Sequence, residues 1–216
     1  MEPLHTPDAS TLGRFLIDGV KDIDQRLCKV GDRVESGFLC TIEQLAADAL
    51  RETGKRYKDE SLVAWLLAAR LREAGLEADV EKHPLDLGDR CDLMVHLGDG
   101  KSIGVEIKFA WKVWLSTDHA KQTGRAYEAH FSANATPTLD KLEAAPWPEA
   151  RAAALLLIGF DHVEAPMDAE IAGFQQRQSV ANRGWKLTAH EAWPDQRDPG
   201  YRIACWFWQR EPHTVG

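Results

Sequence analysis

Between Asp92 and Ala110 the chain alternates oily and polar residues twice, with Gly98-Asp99-Gly100 between the two runs. Leu93, Val95 and Leu97 alternate with Asp92, Met94 and His96. Ile103, Val105, Ile107 and Phe109 alternate with Ser102, Gly104, Glu106 and Lys108. A period of two means extended strands, each with one face to bury. Opposed residues of an antiparallel pair point to the same side, so the two oily rows must face each other across the ladder. Every oily position is odd-numbered, so paired positions must sum to an even number. A two-residue Asp99-Gly100 turn would pair Gly98 with Lys101 and throw the oily rows onto opposite faces. A three-residue Gly98-Asp99-Gly100 loop pairs Leu97 with Lys101 and keeps them together, and Gly100 suits the left-handed position of such a loop. This register sets Asp92 opposite Glu106, with Lys108 one step along on the same face. Directly opposed residues have Cβ atoms about 4.5–5.5 Å apart.

Two carboxylates that close repel unless something positive lies between them. A hard divalent cation fills that place, taking one or two carboxylates and completing its shell with water and phosphate oxygens. Lys108 then stands where an ammonium can hold an attacking water or offset charge on a transferring phosphate. The plainer reading is a surface patch in which Lys108 simply pairs with both acids.

The rest of the chain reads as follows. Helical spacing runs from Ser10 to about Cys28 and from about Thr41 to Thr53, where Gly54 ends it. A third helix spans about Glu60 to Ala74, with Asp59 placed to cap it and Gly75 to stop it. Glu77 to His83 reads as a first strand, Arg90 to Leu97 and Ser102 to Ala110 as the next two. Asp118 to Ala133 is expected to be helical, and the stretch rich in Pro and Ala up to Glu149 to be a long connection. Ala152 to Phe160 (AAALLLIGF) is almost continuously apolar, as in a strand covered on both faces. A helix from about Asp168 to Arg183 and two strands, Trp185 to Trp193 and Tyr201 to Arg210, complete the chain.

An acid opening one strand (RCDL, 90–93) and Glu-x-Lys in the next (VEIK, 105–108) resemble the PD-(D/E)XK nuclease superfamily. The superfamily's core order of helix, three-strand antiparallel meander, helix and parallel strand matches the order read from about Glu60 to Phe160. Cys91 stands where the family usually has a proline before the acid. The resemblance implies an α/β fold with a restriction-endonuclease-like core over residues 57–216. Residues 1–56 would be an N-terminal helical extension, and a helix plus two strands would follow the core. It also implies that Asp92, Glu106 and Lys108 are catalytic, and that Asp92, Glu106 and the backbone carbonyl of Ile107 bind magnesium or manganese. Many members place an acid at the start of the helix before the meander to reach the metal's water shell, and Glu60 stands there. An acid at that point also suits the helix dipole, so both roles are open, and Glu81 on the first strand is a similar candidate. Lys121, Gln122, Arg125 and Tyr127 are candidates for contact with substrate, with a solvated helix face as their plainer reading. The implied activity is hydrolysis of nucleic-acid phosphodiesters. DNA is the expected partner because the superfamily usually cuts it. A non-catalytic binding or assembly module of the same fold is the alternative.

Composition restricts the other classes. A chain of 216 residues suits one α/β domain with an extension. No apolar run approaches the roughly 20 residues of a membrane-spanning helix, and MEPLHTPDAS has no signal-peptide pattern. The four cysteines form no CxxC pair, so reduced thiols and a cytoplasmic setting are expected. Net charge is −8, which disfavours a nucleic-acid partner overall. Locally the sign reverses: Lys101 to His130 carries five bases against three acids. The eight histidines show no HxxxH or HExxH spacing, which argues against a zinc hydrolase. Gly100-Lys101-Ser102 mimics the end of a phosphate-binding loop but lacks its first glycine, since Val95 stands there. Trp111 and Trp114 could stack on bases or pack in a core, whereas Trp206 and Trp208 read as sheet packing. Both a single copy and a homodimer are compatible with these features.

Overall fold

A computed structural model of the chain describes residues 9–30, 32–80, 91–98, 100–111, 113–114, 122–123, 137–143, 151–177 and 180–210. Within them lies an α/β fold built on one mixed sheet. Helix α1 (Ala9–Asp24) leads into a hairpin of β1 (Leu27–Val30) and β2 (Arg33–Ser36), then α2 (Phe38–Thr53) and α3 (Asp59–Glu73). Strands β3 (Glu77–Val80), β4 (Leu93–Gly98) and β5 (Lys101–Trp111) follow. After them come a short ladder of β6 (Val113–Trp114) with β7 (Gln122–Thr123) and a helical turn pair, α4 (residues 137–143). Strand β8 (Arg151–His162), helix α5 (Asp168–Arg177), β9 (Trp185–Pro194) and β10 (Tyr201–Arg210) complete the order.

The six-stranded sheet runs β3-β4-β5-β8-β10-β9. Only the central joint, β5 to β8, is parallel among its described pairs; the others are antiparallel. One face carries the odd-numbered oily row, Leu93, Val95, Ile103, Val105, Ile107 and Phe109, and is covered by α1, α2 and α3. In α1, Leu12, Leu16, Val20 and Ile23 recur at helical spacing and are almost wholly buried in that same core. The opposite face packs Leu155, Leu157, Trp206 and Trp208 against α4 and α5. Strand β8 is covered on both faces, which is why its sequence is continuously apolar.

The expected register holds in the β4–β5 ladder, where Leu93 pairs with Val105, Val95 with Ile103 and His96 with Ser102. It is reached differently at the tip. Gly98 pairs with Lys101, and the register shifts between His96 and Gly98, so Leu97 is an extra residue rather than the partner of Lys101. A bulge thus absorbs the parity mismatch that a longer loop was expected to absorb. Gly98 and Gly100, at φ +83° and +72°, supply the left-handed backbone that this tip requires.

Several expectations are corrected. The first helix ends at Asp24, and the next residues pair as β1 and β2. That hairpin turns the chain back, bringing Cys28 to Cys40 in the first turn of α2, and the two form a disulfide with a Cα–Cα distance of 6.1 Å. The reading of four reduced thiols is therefore wrong for this pair, while Cys91 and Cys205 are free and buried as expected. Asp59 lies in the first turn of α3 rather than at its cap, a place taken by Lys58. Gln122 and Thr123 are a strand, not part of a helix. The connection before β8 contains the helix α4. Glu81 and the far end proposed for the first strand, His83, lie outside the described residues, as do Lys121, Arg125 and Tyr127.

Candidate active site

Asp92, Glu106 and Lys108 come together on the α4-facing side of the sheet, in a cleft of about 440 Å³. Glu106 and Lys108 belong to the even-numbered row of β5, beside Leu155 and Leu157 of β8. On that side β5 is laddered to β8 through both residues, whereas its described pairing with β4 ends at Val105. Asp92 sits in a bend one step beyond the last β4 pair. Its carboxylate Oδ2 accepts a hydrogen bond from the Ile107 N–H at 2.7 Å, taking over where the β4 backbone has ended.

Lys108 ties the cluster together. Its Nζ donates to Glu106 Oε1 at 2.8 Å and to the Ile107 carbonyl at 3.1 Å, and lies 3.9 Å from Asp92 Oδ2. Burial works to lower the Lys108 pKa, but the charge and hydrogen bond of Glu106, with Asp92 and Glu60 behind them, outweigh it and raise the pKa overall. Lys108 is therefore an ammonium, suited to donate or to hold charge rather than to accept a proton. Asp92 is pushed up to about 6, first by burial and then by the charge of Glu106, against the pull of the Ile107 N–H and Lys108. Glu106 is only 5 % exposed, and its Oε2 has no hydrogen-bond partner among the described residues. A buried carboxylate oxygen without a donor is a costly arrangement that a cation would relieve.

The cleft is completed by residues that sequence reasoning did not single out. Arg56, Tyr57 and Lys58, on the connection from α2 to α3, form one rim, and Glu60 and Ser61 in the first turn of α3 lie beside them. Lys141 of α4 closes the other side, its Nζ 3.6 Å from Glu106 Oε1. Helix α4 is fixed by Leu139 and Leu142, buried against the sheet, and by Glu143, whose Oε1 accepts from Trp185 Nε1 and Arg183 Nε at 2.8 Å each. Glu60 lies in the cleft, and its charge is felt by both Asp92 and Lys108. Cys91 also lines it, but burial, with Glu106 and Asp92, holds its thiol up at about 12, so it is a neutral thiol and no nucleophile. Trp111 does not face this cleft; it stacks on Phe160 at 4.1 Å. Trp206 and Trp208 are buried in the sheet core.

No metal-holding group of three or more His, Cys, Asp or Glu side chains is present among the described residues. The donors that do converge are all oxygens: two carboxylates, one with an orphaned atom, and the Ile107 carbonyl. That set suits a hard divalent ion better than zinc or copper. Comparison of the chain with protein families, with curated proteins and with solved structures finds no match.

Proposed function

We propose that this chain is a metal-dependent nuclease of the PD-(D/E)XK type, hydrolysing nucleic-acid phosphodiesters, with DNA as the first substrate to test. The observation that carries the reading is the meeting of Asp92, Glu106, Lys108 and the Ile107 carbonyl in one cleft, with Glu106 Oε2 buried and, among the described residues, unpartnered. The order α3, β3–β4–β5 meander, α4 and parallel β8 supports the restriction-endonuclease-like core. Magnesium or manganese would be held by Asp92, Glu106 and the Ile107 carbonyl, with Glu60 reaching its water shell. Such an ion supplies Lewis acidity and a more acidic water. The protein's own part is positional. The Ile107 N–H fixes Asp92, the β5–β8 ladder fixes Glu106, and the Lys108 ammonium donates to a phosphate oxygen or holds the attacking water.

The alternative, a binding module without chemistry, draws on Lys108 and Lys141, which already offset the charge of Glu106. Plasmid nicking and oligonucleotide cleavage with magnesium, manganese or chelator decide between them. Lys108→Ala should keep its fold and its metal response while cleavage falls by about two orders of magnitude or more, the scale of one lost electrostatic contributor. Glu106→Gln should lose metal binding and cleavage together. Nucleic-acid binding without cutting in every condition would establish the module reading, and equal cutting by Lys108→Ala would remove these residues from the active site.

A further inference from the structure

The rim of the cleft bears on what kind of strand enters it, an inference that rests on the nuclease reading above. Four cationic side chains, Arg56, Lys58, Lys108 and Lys141, face three carboxylates there, in a chain whose net charge is −8. Lys108 and Lys141 are engaged with Glu106. The side chains of Arg56 and Lys58 are exposed and make no hydrogen bond or ion pair among the described residues, and the charge of Arg56 is felt by Asp59. Next to them Tyr57, also lining the cleft, packs against Trp65 with ring centroids 4.8 Å apart. Trp65 is 41 % exposed, although α3 buries most of its neighbouring apolar residues. It projects one turn beyond Ser61 of the cleft, since residues four apart share a helix face.

A basic track with an exposed aromatic beside it is the combination that holds unpaired nucleotides, because any base has a face to stack while phosphates meet the cations. A paired base is already stacked on its neighbours and gains nothing from Trp65. We propose that the cleft takes a single strand: Arg56, Lys58 and Lys141 hold its phosphates, and the Tyr57–Trp65 pair stacks one unpaired base beside the scissile bond.

The test is binding of labelled oligonucleotides, single-stranded and blunt duplex, in deoxy and ribo forms, over a range of salt. It is run on Lys108→Ala protein with magnesium so that cutting does not intervene. Single strands should bind more tightly than duplexes, and the deoxy and ribo arms show which sugar the cleft accepts. Arg56→Ala and Lys141→Ala should each reduce the slope of log Kd against log salt by about 0.7, one phosphate contact on a single strand. Lys141→Arg should restore it, which a purely structural role of Lys141 beside Glu106 does not require. Trp65→Ala should weaken single-strand binding roughly five-fold or more and leave duplex binding unchanged, with Trp65→Phe recovering most of the loss. Equal affinity for both strand forms, or unchanged slopes in both cation variants, would overturn the proposal even if the wild type cuts DNA. If the wild type cuts nothing, the nuclease reading fails, and the same slopes and the Trp65 variants still decide whether this rim holds a strand.

Discussion

Asp92 is held in place by the Ile107 N–H, yet burial and the Glu106 charge move its pKa to about 6. A carboxylate whose folded pKa is raised above its unfolded value costs stability when ionised. The cost is complete above about pH 6 and disappears as pH falls through 6 towards the unfolded value near 3.8. Asp92→Asn keeps an oxygen to accept from Ile107 and removes the charge. In chelator at pH 8 the variant should therefore melt at a higher temperature than wild type, and the difference should shrink to nothing near pH 4. Magnesium or manganese should raise the wild-type melting temperature through linkage and leave Asp92→Asn nearly unmoved. Buried Asp24, which accepts from Phe38 N–H at 2.9 Å and Trp193 Nε1 at 3.1 Å, is also raised to about 6. The informative quantity is thus the difference between variant and wild type across pH, since Asp24 tilts both curves alike. An equal metal response in the two proteins would place any ion elsewhere.

At the level of elements, the β4–β5 hairpin shows how far alternation carries. Parity alone put Asp92, Glu106 and Lys108 on one face, because burying the odd-numbered row leaves the even row no other side. The tip escaped that reasoning, since a bulge and a longer loop satisfy the same parity. Helix α4, which brings Lys141, was hidden by the surrounding Pro and Ala, though Leu139 and Leu142 have the three-residue spacing of a helical face. The β1–β2 hairpin did carry a signal, Gly31-Asp32 between Val30 and Arg33, a turn dipeptide flanked by β-branched and paired positions. Without it the disulfide was illegible, because Cys28 and Cys40, twelve positions apart, match no spacing motif. This bond closes a short loop and clips the hairpin to α2, so Cys40→Ser should lower the unfolding free energy by about 2–4 kcal/mol. Denaturant titration of the oxidised wild type against the variant measures it. Reductant should bring the wild type down to the variant's midpoint and leave the variant unchanged.

Across the whole molecule, the sheet is two antiparallel three-stranded halves, the β3–β4–β5 meander and β8–β10–β9, joined along one parallel seam. The seam is dry on the face covered by α1, α2 and α3: Ile107 and Leu156, paired across it, are each 0 % exposed. Leu156→Ala should cost about 2–5 kcal/mol, the range for opening a cavity under a buried leucine. Parallel pairing across a long connection forms late, after the local hairpins have closed. Most of that loss should therefore appear as faster unfolding rather than slower folding, as stopped-flow kinetics can establish. Glu106 and Lys108 stand on one lip of this seam and have no ladder of their own to fall back on. Under the nuclease proposal, cleavage should consequently vanish at the same denaturant concentration as the far-UV circular dichroism of the sheet, with no window in which a partly opened chain still cuts. The cleft is thus a property of the joint between the two halves, and whatever parts them takes it away.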